Sequence, residues 1–168
     1  PLPTYTFGTT ELIPYFFSGD YASAVPLCGN NYGAYLLLKK LGKHEEANVI
    51  LGKLKQEQAQ TYASTKAQFH GDFFGLGSTQ EVFFALLNGE ISEEYATNYK
   101  PTKYNWYLTP KRPWDCELYY YLGSYHAVNG DTEKARAYLQ KSVDTGMKHM
   151  VEWLLAKHEL EELDKKGG

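Results

Sequence analysis

The sequence predicts an all-α protein, an irregular array of antiparallel helical hairpins in one domain over residues 1–168. Three observations predict it. Apolar residues recur at steps of three and four, the period of one buried helix face. Turns at Ser18-Gly19-Asp20, Gly42-Lys43, Asn88-Gly89-Glu90 and Asn129-Gly130-Asp131 divide the helices, each with a glycine suited to a helix C-terminus. Finally, an alanine follows a turn glycine by five residues at Gly19/Ala24, Gly42/Ala47 and Gly130/Ala135. A small residue at that offset belongs where two helices cross.

Taken in order, residues 1–8 lack helical period and read as an extended lead-in. Residues 9–28 suggest a short hairpin: a helix capped by Thr9 or Thr10 and running through Phe17, a turn, then Tyr21–Cys28. Pro14 and Pro26 limit both helices, because proline has no N–H to donate. Residues 32–41 carry a heavy apolar face. Residues 44–69 follow, with Ala47, Ile50, Leu51 and Leu54 inward and Tyr62 and Phe69 further along. The run HGDFFGLG at 70–77 is a glycine-rich linker. Ser78 and Glu81 form a capping box that opens a helix through Leu87. Ser92 caps a short helix over 93–99. Residues 100–112, with two prolines, three aromatics and basic side chains, read as a long aromatic and basic loop, the kind that is usually functional or disordered. Residues 147–164 read as a capping helix, with Met150, Val151, Leu154 and Leu155 inward and a charged end.

The stretch 114–143 carries the most information. Pro113 suits a first helical turn, and Asp115 and Glu117 favour the positive end of the helix dipole. Leu118, Leu122, Tyr125 and Val128 mark the buried face. Asn129-Gly130 stops the helix and Asp131 caps the next one, which buries Ala135, Leu139 and Val143. Gly123 and Ala135 let the two axes approach closely. This hairpin resembles a tetratricopeptide repeat, a helix–turn–helix of about 34 residues. Tyr119, Leu122-Gly123, Gly130, Ala135 and Leu139 fall at that family's offsets. Ser142, His126 and Met147 depart from it, standing where Ala, Tyr and Pro are usual. The turn glycines lie 23, 47 and 41 residues apart, so the repeat is irregular.

The order of segments is also similar to the NlpI-like bacterial periplasmic lipoproteins. The turn LLNGEISEE and the ending VEWLLAKHEL carry most of that likeness. The resemblance implies a lipid-anchored adaptor of envelope enzymes, often a homodimer, with its lipidated cysteine upstream of residue 1 and not at Cys28. It implies a periplasmic or cell-envelope location; without it, the cytoplasm is the expectation. Residue 1 is Pro, so the chain is expected to be a processed or trimmed product.

Composition narrows the function classes. The net charge of −3 argues against nucleic acid as the main partner. No apolar run reaches the length of a membrane span. Cys28 and Cys116 form no metal or redox motif; a disulfide and a pair of buried free thiols both fit the sequence, the second being the plainer reading. The five histidines are scattered, and His44-Glu45-Glu46 lacks the second histidine of a zinc motif. HGDFFGLG lacks the preceding strand and the lysine of a phosphate loop. Adjacent carboxylates at Glu45/Glu46, Glu93/Glu94 and Glu161/Glu162 do not face one another on a helix. No catalytic set, cofactor or metal site is therefore expected.

The expected function is a protein–protein interaction adaptor or scaffold that binds a peptide or partner protein. Tyr120, Tyr121 and Ser124 are its candidate groove contacts, beside Glu117. Tyr104, Trp106, Tyr107 and Lys111 are its candidate loop contacts. Tyrosine suits such surfaces, offering large area with a polar tip, although most of the fifteen are expected at helix interfaces. The rivals are a carbohydrate- or small-ligand-binding module that stacks sugar rings on aromatics, an enzyme whose site the sequence does not assemble, and a structural region of a larger protein.

Overall fold

The computed structural model describes residues 13–29, 31–68, 79–99 and 111–167. These residues form helices and no strand: α1 (Ile13–Ser18), α2 (Tyr21–Cys28), α3 (Tyr32–Lys40), α4 (His44–Gln68), α5 (Thr79–Leu87), α6 (Glu93–Asn98), α7 (Lys111–Val128), α8 (Thr132–Asp144) and α9 (Val151–Gly167). The all-α expectation holds. The lead-in, the linker at 70–77, Ser78 of the capping box, Phe69 and residues 100–110 lie outside the described residues.

Three helix ends share one hydrogen-bond pattern. At Gly42, Gly89 and Gly130 the glycine sits at φ 74°, 73° and 86°. Its N–H donates three residues back, and the next N–H donates five back: Lys43 to Leu38, Glu90 to Ala85 and Asp131 to His126, at 2.9, 2.9 and 3.0 Å. That is the Schellman closure, which turns the chain tightly while satisfying two terminal carbonyls. The next helix is then started by a side-chain cap at Ser92 (3.0 Å) and Asp131 (3.2 Å), as expected. Asn31 caps α3 in the same way at 3.1 Å.

The crossing alanines also hold: Ala24, Ala47 and Ala135 are each fully buried. Gly123 shows why the α7–α8 crossing admits nothing larger. A Cβ there would lie 2.6 Å from Leu139 Cγ and 2.9 Å from the Leu139 backbone nitrogen. Two boundaries differ from expectation. The 100–112 loop gives up 111 and 112 to α7, because Pro113, third in the helix, needs no N–H partner within a first turn. The last helix begins at Val151 rather than 147. A turn precedes it, in which the Lys148 and Met150 N–H groups bond Gly146 and Met147 at 2.9 and 2.8 Å. Of its four expected inward residues, Leu155 is buried, while Met150, Val151 and Leu154 are half-buried.

Helices α3, α5 and α7 meet at Tyr32. Its ring lies 5.0 Å from Phe83, 5.6 Å from Tyr35, 5.6 Å from Tyr121 and 6.1 Å from Phe84. Three of these pairs are edge-on and the Tyr35 pair is stacked; such pairs add about 0.5–1.5 kcal/mol each beyond their area. Polar ties fix the outer helices. Asn88 donates to the Lys55 carbonyl of α4, Trp153 of α9 to the Val143 carbonyl, and Arg136 of α8 to the Leu163 carbonyl and Asp164. The first and last described helices also touch: α1 packs on α9, with Phe17 and His158 rings 4.6 Å apart.

Candidate functional site

Glu117, Tyr120, Tyr121 and Ser124 follow one another at helical steps along the inner stripe of α7. The expectation set three of them against a partner. The structure packs them inside: Tyr120, Tyr121 and Ser124 are 0%, 1% and 0% exposed. They cannot line an open groove in this conformation. The reason is that α3 and α9 cover the stripe. Tyr32 of α3 donates its hydroxyl to the Tyr121 carbonyl at 3.0 Å and meets Ser124 Oγ at 3.2 Å. Tyr121 donates to Glu117 at 2.6 Å, and Tyr120 donates to Glu159 of α9 at 3.4 Å.

This inner face is acidic and phenolic. Glu159 is only 2% exposed, and Lys40 of α3 reaches it at 3.7 Å. A buried carboxylate without such a partner would cost several kcal/mol. Glu152, one α9 heptad earlier, has no such ion pair among the described residues: burial, reinforced by the negative charge of Glu117, pushes its carboxyl up to about 7. Burial also raises the phenols of Tyr32 and Tyr120 well above their usual range, so both are neutral donors at physiological pH. The α7 stripe is thus held by several buried hydrogen bonds.

The remaining reactive groups are structural. Cys28 and Cys116 are free and buried. Burial pushes the Cys28 thiol up to about 11 and raises that of Cys116, which lies against Ser142. Thiols so placed stay protonated and unreactive. His126, lowered by burial, stacks on Tyr138 at 6.0 Å with Nδ1 3.5 Å from Asp131. No group of metal-binding side chains assembles among the described residues.

Of the loop candidates, Tyr104, Trp106 and Tyr107 lie outside the described residues, and Lys111 is the first residue of α7. The residues that bracket them are described. Tyr99, just after α6, and Trp114 of α7 stand 5.9 Å apart, and Tyr95 continues the row 5.8 Å from Tyr99. Tyr95 is 40% exposed. The Trp114 Nε1–H is buried and has no acceptor among the described residues.

Sequence reasoning missed Lys40, Glu152 and Glu159 as inner-face residues. The signal was present in the stretch EWLLAKHE, where two glutamates seven residues apart share the helix face that carries Leu155 and Ala156. No protein-family model matches the chain, no curated protein matches it, and no solved structure matches it.

Proposed function

We propose that this protein is an interaction adaptor of the tetratricopeptide type, binding a peptide or partner protein through the segment at 100–113. One observation carries the reading: the aromatic row Tyr95–Tyr99–Trp114 brackets that segment, with its two flanking residues ring to ring. Tyr104, Trp106, Tyr107 and Lys111 would then act from a base pinned to α6 and α7. Aromatic anchors on such a base suit recognition, because less conformational freedom is lost on binding. The close α7–α8 crossing at Gly123, the repeated glycine turns and the buried alanines support the repeat-type hairpin. The resemblance to envelope lipoproteins suggests partners among envelope enzymes, an upstream lipid anchor and a dimer, all of which stand as proposals. No described helix is long and apolar enough to cross a membrane.

The test is capture of a partner on the intact chain, followed by calorimetry with that partner purified. Trp106→Ala/Tyr107→Ala is expected to weaken binding by about 2 kcal/mol or more, and Tyr95→Ala by less. Unchanged affinity for both variants, with helicity intact, defeats the assignment. A shift of tryptophan fluorescence by a glycan panel, with no protein bound, would favour the carbohydrate reading instead.

A further inference from the structure

The first hairpin packs over the inner face at α3 and α9. Among the principal helix contacts, α1 touches α2 and α9, and α2 touches α1 and α3. Under this hairpin lies the Lys40–Glu159 pair. Lys40 Nζ stands 5.7 Å from the Phe16 ring centroid and 5.6 Å from that of Tyr21, with the Glu159 carboxylate 3.7 Å away. Two aromatic faces and one carboxylate therefore enclose the ammonium. Phe16 itself is 1% exposed. A cation so placed gains from the ring quadrupoles, and it selects aromatic side chains over aliphatic ones of equal area.

Two features of this hairpin favour opening. Helix α2 has eight residues, well under the length at which a helix persists unaided. Pro26 lies inside α2 and removes the N–H that would bond the Ala22 carbonyl. The connection to α3 passes through Gly29 at φ 62° and ψ −147°, a conformation open essentially to glycine alone. A short hairpin on a glycine hinge, closing over a charge pair, is the kind of unit that opens below the global unfolding energy.

We propose that α1–α2 is a strap that opens as a unit, and that the bed beneath it binds a helical segment presenting two aromatic side chains to Lys40, the strap being the chain's own occupant. It deepens the adaptor reading by naming a second partner chemistry, and its first test needs no partner.

Native-state hydrogen exchange on the intact protein reads the opening directly. Amides of α1 and α2 are expected to exchange at least about a hundredfold faster than the buried amides of α7 and α8. Exchange of all four helices at one rate overturns the strap. The bed is then tested with a fluorescent peptide of residues 13–29 in trans. The parent chain, with its bed occupied, is expected to bind it at least about tenfold more weakly than the Phe16→Ala/Tyr21→Ala chain. Adding Lys40→Met to that variant is expected to remove most of the gain, a loss of about tenfold. If the double variant keeps its α7–α8 protection and binds no better than the parent, the bed is not a binding site. Fast strap exchange with partner affinity unchanged in Trp106→Ala/Tyr107→Ala and in Tyr95→Ala would leave this proposal standing while the loop reading fell.

Discussion

The α7–α8 hairpin and the α1–α2 hairpin follow one sequence rule and reach different outcomes. Both place a glycine at the turn and an alanine five residues later, and both alanines are fully buried. The α7–α8 pair has helices of 18 and 13 residues, a two-bond closure at Gly130 and a glycine at the crossing. In the α1–α2 pair the second helix has eight residues and contains a proline, and the turn closes through a single 3.4 Å bond from Gly19 to Phe16. The shared rule fixes where the chain turns and which residue sits at the crossing. Length and closeness of approach decide how firmly the hairpin stays shut.

The largest expected loss of stability by substitution is at the crossing glycine. Gly123→Ala puts a methyl group into the Leu139 side chain and backbone. Overpacking costs of this type run to about 3 kcal/mol, against about 1 kcal/mol gained in helix propensity, so a net loss near 2 kcal/mol is expected in urea unfolding. Gly19→Ala meets nothing within 4 Å but forces a side chain to φ 75°, costing about 1–2 kcal/mol locally. That loss is expected in exchange of α1–α2 and hardly at all in the global transition. Equal shifts in the two global midpoints would erase the contrast between the hairpins.

The pH-dependent effect comes from the proton on α9 that faces α7. The Glu152 carboxyl is raised from its ordinary 4.5 to about 7. Below pH 4.5 the group is protonated folded and unfolded, and it imposes no charge penalty. Between there and pH 7 the folded state keeps a proton that the unfolded state has released, so stability falls as pH rises. Above pH 7 the penalty is complete, at about 3 kcal/mol. Glu152→Gln is expected to flatten this slope and to stabilise the protein at pH 8 more than at pH 5. Parallel urea curves for parent and variant at the two pH values would show that the carboxyl is not held protonated against α7.

How much of this was legible in the sequence follows the range of the forces. Turns, caps and crossing alanines are set by neighbours a few residues away. Hence the closures at Gly42, Gly89 and Gly130 and the caps at Ser92 and Asp131 could be read directly. The start of α9 was misplaced because the apolar spacing of Met147–Val151 continues a helix pattern that the local turn bonds override. The inner face was misread for a different reason. Tyr120, Tyr121 and Ser124 were rightly grouped on one stripe of α7, but whether a stripe is open depends on α3 and α9, which are remote in sequence. Tyr32 lies 89 residues from Tyr121 and 92 from Ser124. No pattern internal to α7 says that Tyr32 and Glu159 will cover it.

The smallest effect sharpens the comparison most, because its chemistry is the same on both sides. Asp20 and Asp131 each accept an N–H bond from the third residue on, at 3.4 and 3.2 Å. Removing an aspartate cap costs about 1 kcal/mol. In Asp131→Ala that cost falls on α8, whose helix is locked to α7 and α9, so the whole chain's urea midpoint is expected to move by the corresponding amount. In Asp20→Ala it falls on α2. A unit that already opens on its own can lower global stability only by the little it contributed, so the midpoint is expected to stay within about 0.3 kcal/mol of the parent. The missing energy appears instead as faster exchange in α2. If both caps move the global midpoint alike, α1–α2 unfolds with the body, and the hairpins differ in length but not in independence.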